Sequence, residues 1–224
     1  MSENEDYLTK ENITKKTDKW LSELLIPPKR KSNFKFSSKK SALLVIDMQE
    51  FFLNKESHSY IPAATAIVPN VNLIISGYRK QGYPIIFTYH VYEVDEETGI
   101  MGRWWGDMLR VNNSLSEIHS SIDLRKDDII LRKNRYSAFI GTNLDKILKE
   151  KRIDTLVITG IMTHLCCETT ARDAFMRDYD VYFIVDATAT ETESLHISSL
   201  RTLTDGFTIP MKTTEIIQEI KPDA

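Results

Sequence analysis

Ala42-Leu43-Leu44-Val45-Ile46 is five apolar residues in a row, closed by Asp47. A strand with one face in water alternates apolar and polar side chains. A strand covered by helices on both faces does not, and this run shows no alternation. Five further runs of the same character span residues 84–89, 128–131, 155–159, 181–185 and 207–210. Between them, residues 63–81, 143–150, 169–177 and 193–203 carry apolar side chains at helical spacing. Strand and helix alternate in this way when crossover helices join parallel strands, so the chain after residue 40 predicts one α/β domain built on a parallel, doubly wound sheet. Ahead of it, Trp20, Leu21, Leu24 and Leu25 mark a short N-terminal helix over residues 14–25, stopped by Pro27-Pro28. The expected division is an extension with a short helix, residues 1–40, and a domain, residues 41–224.

A chain of 224 residues, 42% hydrophobic and 27% charged with a net charge of −3, fills one sizeable core. Those figures exclude a disordered or collagen-like chain, and the longest apolar runs are far too short to cross a membrane. The opening MSENEDYLTK lacks the apolar core of a secretory signal. Cys166 and Cys167 are adjacent, which disfavours a disulfide between them, so a reducing, cytoplasmic setting is the expectation. The sequons at Asn12 and Asn112 are then chance matches. Residues 1–40 hold ten Lys/Arg against six Asp/Glu, a net +4, which leaves −7 for residues 41–224. Lys29-Arg30-Lys31 with Lys35, Lys39 and Lys40 reads as a solvated lead-in. An acidic body repels phosphate, so neither a nucleic acid nor a membrane is the expected partner.

In open α/β sheets, chemistry gathers at the carboxyl ends of strands. Three such ends carry reactive groups: Asp47 after the first run, Lys133 after Ile129-Ile130-Leu131, and Cys166 shortly after the run at 155–159. The helical Thr-Thr-Ala-Arg-Asp-Ala-Phe that follows Cys166 places this thiol near a helix N-terminus, where amide donors and the helix dipole lower a thiol pKa. Each residue has a bland alternative: Asp47 as a cap, Lys133 as one of a basic run, Cys166 as an inert core cysteine. Together, on three strand ends, they make a plausible base, charge partner and nucleophile.

Three ordered blocks then carry a resemblance: residues 42–49 with Phe51-Phe52-Leu53, Arg132-Lys133-Asn134-Arg135-Tyr136-Ser137-Ala138-Phe139, and residues 159–174 around His164-Leu165-Cys166-Cys167-Glu168. Over roughly residues 41–220 the chain resembles the isochorismatase-like, or cysteine hydrolase, superfamily. The resemblance implies a three-layer α/β fold whose six-stranded, mostly parallel, doubly wound sheet is flanked by helices. It implies that Asp47 is the general base, Lys133 its lysine and Cys166 the nucleophile. It further implies a cis peptide at Ile161–Met162 that aims the Met162 N–H, with that of Cys166, at a developing oxyanion. The implied reaction is cleavage of a C–N bond in a small amide or N-carbamoyl-type substrate through a Cys166 thioester. Cys167 reads as a core residue.

The departures sort subfamilies. Tyr136-Ser137-Ala138-Phe139, residues 173–178, Trp105-Gly106 and His196 resemble dedicated isochorismatases, which have a small residue where Cys166 stands. A vinyl ether hydrolase using Asp47 as general acid is therefore the alternative, and a non-catalytic binding module on the same fold is the second. Metal-binding nicotinamidases carry Asp-x-His after the second strand, whereas residues 88–95 have His90 and no such pair, so the expectation is no metal, no cofactor and a substrate other than nicotinamide. Zinc on His164, Cys166 and Cys167 does not match ligand spacings either. Residues 90–113 are expected to wall the substrate site. His90, Arg103, Trp104, Trp105 and Tyr136 are the candidate substrate contacts, with Arg110 a second cation for an anionic group. His58, His119 and His196 read as structural or surface residues. The resemblance also implies a small-molecule substrate and a homo-oligomer, dimer or tetramer.

Overall fold

A computed structural model describes residues 5–24 and 33–220. The sheet has six strands: β1 (Ser41–Ile46), β2 (Ile85–His90), β3 (Ile129–Lys133), β4 (Thr155–Ile161), β5 (Asp180–Ala189) and β6 (Ile209–Met211). They lie in the order β3-β2-β1-β4-β5-β6, and every pairing is parallel. The strand order reverses direction between β1 and β4, which makes the crevice beyond their carboxyl ends the natural ligand site. All six residues of β1 and all seven of β4 are buried, as their unbroken apolar runs require.

Eight helices surround the sheet among the described residues: α1 (Ile13–Glu23), α2 (Glu50–Leu53), α3 (Pro62–Gln81), α4 (Gly99–Trp105), α5 (Leu144–Glu150), α6 (Glu168–Phe175), α7 (Glu193–Gly206) and α8 (Thr213–Glu219). The longest, α3, starts on Pro62 and ends at Gly82, whose left-handed φ of 69° a side chain would disfavour. It packs on β5 and α8.

The sequence reading misses β5 beyond residue 185. Asp186 interrupts the apolar pattern, yet it is buried and its Oδ1 accepts from both the amide (2.7 Å) and the hydroxyl (2.8 Å) of Thr213. A polar residue with its partners supplied from α8 can sit inside a buried strand. Helices α2, α4 and α8, of four to seven residues, are too short for periodicity to reveal.

Residues 5–24 pack on the domain. Tyr7, Leu8, Ile13, Trp20 and Leu24 are buried in the same apolar cluster as the sheet. Leu25, Pro27-Pro28 and the basic run Lys29-Arg30-Lys31 lie outside the described residues.

Candidate active site

Asp47 is the first residue beyond β1. It takes a left-handed φ of 50°, which aspartate tolerates better than most residues. Its amide donates to the Thr88 carbonyl at 3.1 Å, and the Thr88 hydroxyl donates to Asp47 Oδ1 at 2.7 Å. Register explains the pair, because Ile46 lies opposite Thr88 at the end of β2. Beside it, Gln49 joins the neighbouring loops by accepting from the His90 amide (2.7 Å) and donating to the Ser116 carbonyl (2.8 Å).

Lys133 is the last residue of β3 and its side chain is wholly buried. Its Nζ lies 2.7 Å from Asp47 Oδ2, 3.0 Å from the Arg135 carbonyl and 3.2 Å from Cys166 Sγ. An ammonium has three protons and no way to accept; two go to the Arg135 carbonyl and Cys166 Sγ, and Asp47 Oδ2 is held as an ion pair. A charge taken out of water persists only when it is paired like this.

Cys166 sits in a π-helical turn, Thr163–Cys167, that runs straight into α6. Gly160 allows β4 to deliver that turn against β1. Its φ is 110°, and a Cβ there would lie 2.0 Å from the Ile46 carbonyl oxygen. The Ile161–Met162 peptide that follows is cis. Cys167 is fully buried and faces the core.

Burial dominates the electrostatics. It pushes the Cys166 thiol up to about 12, Asp47 adds to the rise, and Lys133 opposes it. The expectation that a helix N-terminus would lower this thiol is thus corrected: α6 starts two residues later, and burial raises the thiol. For Lys133, burial pulls the ammonium down, but its neighbours, the Asp47 carboxylate foremost, outweigh it and leave the group above an ordinary lysine.

His90, the last residue of β2, has an Nε2 that is buried with no hydrogen-bond partner among the described residues. Burial, helped by Lys133, drives its pKa down to about 3, so the ring is neutral. One ligand atom each from Asp47, His90 and Cys166 falls within 4.8 Å of the others. A metal ion on this trio would meet the Lys133 ammonium, which already contacts two of the three, so the donor set does not fit a resident cation.

Of the other expected contacts, the structure joins two. Trp105 Nε1 donates to the Tyr136 hydroxyl at 2.7 Å. Burial raises that phenol, and the Trp105 hydrogen bond opposes the rise. Arg103 and Trp104 stand in solvent on α4, Trp104 being 76% exposed. Arg110 is corrected as a candidate for an anionic group, because its guanidinium already serves the carbonyls of Glu93, Val94 and Glu96. Thr88 and Gln49 went unread as site residues, because only strand pairing reveals them. His196 is indeed structural and is wholly buried, whereas His58 is exposed beside Asp107.

The isochorismatase domain family matches residues 41–215 of the chain. Nicotinamidase 3 of Arabidopsis thaliana is 38% identical over 174 residues, 76% of this chain and 84% of that protein. Among solved structures, a cysteine hydrolase from Pseudomonas syringae superposes with a TM-score of 0.80 at 26% identity, covering 84% of this chain and 95% of that one. N-carbamoylsarcosine amidase from Thermoplasma acidophilum gives a TM-score of 0.67 at 29% identity, covering 78% of this chain and 96% of that one.

Proposed function

Because the chain belongs to the isochorismatase family, we propose that it is a cysteine hydrolase that cleaves the C–N bond of a small amide or N-carbamoyl-type substrate through a thioester on Cys166. The observation that carries this reading is the position of Lys133 Nζ, 2.7 Å from Asp47 Oδ2 and 3.2 Å from Cys166 Sγ. A family fold with a different chemistry has no need of a buried ammonium shared between a carboxyl group and a thiol. Similarity to a nicotinamidase and an N-carbamoylsarcosine amidase supports amide chemistry and returns nicotinamide to the substrates worth assaying.

In this mechanism the thiol is protonated at rest, because burial raises it. Asp47 takes the S–H proton as Cys166 Sγ attacks the substrate carbonyl carbon, and Lys133 holds the developing thiolate. The Met162 and Cys166 amides stabilise the oxyanion. Collapse breaks the C–N bond, and Asp47 returns its proton to the departing nitrogen. A water molecule then gives a proton to Asp47 and attacks the thioester, and the acid leaves as Cys166 regains its hydrogen. His90 offers its unpartnered, neutral nitrogen to the substrate, and Tyr136 with Trp105 forms a wall. No cofactor takes part.

Cys166→Ala is expected to keep its cooperative melt and to lose ammonia release from nicotinamide, N-carbamoylsarcosine and other small amides. The raised thiol favours one second reading, a vinyl ether hydrolase in which Asp47 alone is the acid. In that case Cys166→Ala still turns over isochorismate and Asp47→Asn does not.

No helix among the described residues is long and apolar enough to cross a membrane. The reading places the enzyme in the cytoplasm as a homo-oligomer, with the exposed Ile100 and Trp104 of α4 as a surface for a second copy. Light scattering on the full chain tests the assembly.

A further inference from the structure

The N-terminal segment lies outside the residues matched by the family, yet two lines of contact run from it to the turn that carries Cys166. In the first, the Trp20 indole lies on the His196 ring, centroids 4.7 Å apart, with Tyr7 on the same ring at 6.2 Å. His196 Nδ1 is 2.9 Å from Thr163 Oγ1, in the turn itself. In the second, the Thr190 amide donates to the Tyr7 hydroxyl at 3.2 Å, and Thr190 Oγ1 is 2.6 Å from His164 Nδ1. Both lines are fastened at the N-terminus of α7, where Trp20 Nε1 donates to Glu193 Oε1 (3.0 Å) and the Glu193 amide donates to Glu5 Oε2 (3.1 Å).

The His196 ring is fully buried, and its Nε2 has no hydrogen-bond partner among the described residues. Trp20 and Tyr7 pack on the ring, and among the described residues Thr163 is its polar anchor. A side chain held by aromatic packing on one side and one hydrogen bond on the other transmits position from the first to the second.

We propose that residues 5–23 are a positioning element for the nucleophile turn, acting through His196 on Thr163 and through Thr190 on His164, and so holding Cys166 Sγ against Lys133. This rests on Cys166 being the nucleophile. His196 and Trp20 touch no reacting atom. They set where the turn sits.

The test uses the full chain and the second-order rate of Cys166 alkylation by iodoacetamide at pH 9, read by peptide mass spectrometry beside a thermal melt. An asparagine at 196 places an amide atom where Nδ1 stands, and a glutamine reaches instead to the place of Nε2. The inference expects His196→Gln and Trp20→Ala to change that rate about threefold or more, while His196→Asn and Trp20→Phe stay within about 1.5-fold. Equal shifts in the asparagine and glutamine variants would mean packing alone and would overturn it, as would four variants that react like the unmodified chain. If Trp20→Ala loses its cooperative melt, the two His196 variants decide. Amide hydrolysis retained in Cys166→Ala sinks the nucleophile reading instead.

Discussion

Replacing Lys133 by methionine keeps the length of the side chain and removes its charge. The structure then leaves Asp47, 1% exposed, without the cation 2.7 Å away. The Thr88 hydroxyl remains on Oδ1, but one hydroxyl does not replace an ammonium. Removing one member of a buried ion pair costs about 3–5 kcal/mol, because the other charge stays desolvated and uncompensated. Removing both members relieves that, so Lys133→Met/Asp47→Asn is expected to recover at least about half of the loss. Urea unfolding at pH 7, followed by far-UV circular dichroism and tryptophan fluorescence, measures all three proteins, with coincident probes checking two-state behaviour. Two results refute the reasoning: a single variant that loses less than about 1 kcal/mol, or a double variant as unstable as the single. Either would mean that water or backbone already satisfies Asp47 and that Lys133 contributes little to the site's electrostatics.

Acid should destabilise the fold through its buried histidines. Burial holds His196 at about 3 against 6.5 for a free histidine, so below pH 6.5 the unfolded chain binds a proton that the folded chain refuses. Stability therefore falls as pH drops through the window from 6.5 towards 3, by about 2 kcal/mol between pH 7 and 5 for this residue, and His196→Asn should show a visibly shallower slope in urea titrations at the two pH values. Gly160→Ala forces a Cβ to 2.0 Å from the Ile46 carbonyl oxygen at a φ of 110°, so a loss of about 3 kcal/mol or more in unfolding free energy is expected from denaturant titration, with poor expression as the practical sign. Thr88→Val removes the hydroxyl on Asp47 Oδ1 at nearly constant volume, and steady-state kinetics should show kcat down about tenfold with KM within about threefold.

Much of this architecture is written in the chain. The unbroken apolar run before Asp47 and the matching run before Gly160 identify buried strands, and the gathering of chemistry at strand carboxyl ends then points to the site. Asp47, Lys133 and Cys166 do converge there. What a linear pattern cannot carry is pairing. Thr88 becomes a site residue because β2 lies in register with β1, and Asp186 lies within a strand because Thr213 reaches back to it. The sign of the effect on the Cys166 thiol was also out of reach: a helix start is visible in sequence, but the depth at which a turn is buried belongs to the whole fold. Trp20 shows helical spacing, yet nothing local tells that its indole lies on His196, 176 positions later.

The protonated state of Cys166 at rest bears on how the protein ages. Peroxide attacks thiolates, not thiols, and the steps from sulfenic to sulfonic acid begin with that attack. A cysteine held near 12 by burial offers oxidants almost no target while the site is idle. In the proposed mechanism Cys166 gives up its proton only when a carbonyl carbon is beside it to take the electrons, so the burial that makes the proton costly to remove also shields the thiol between turnovers.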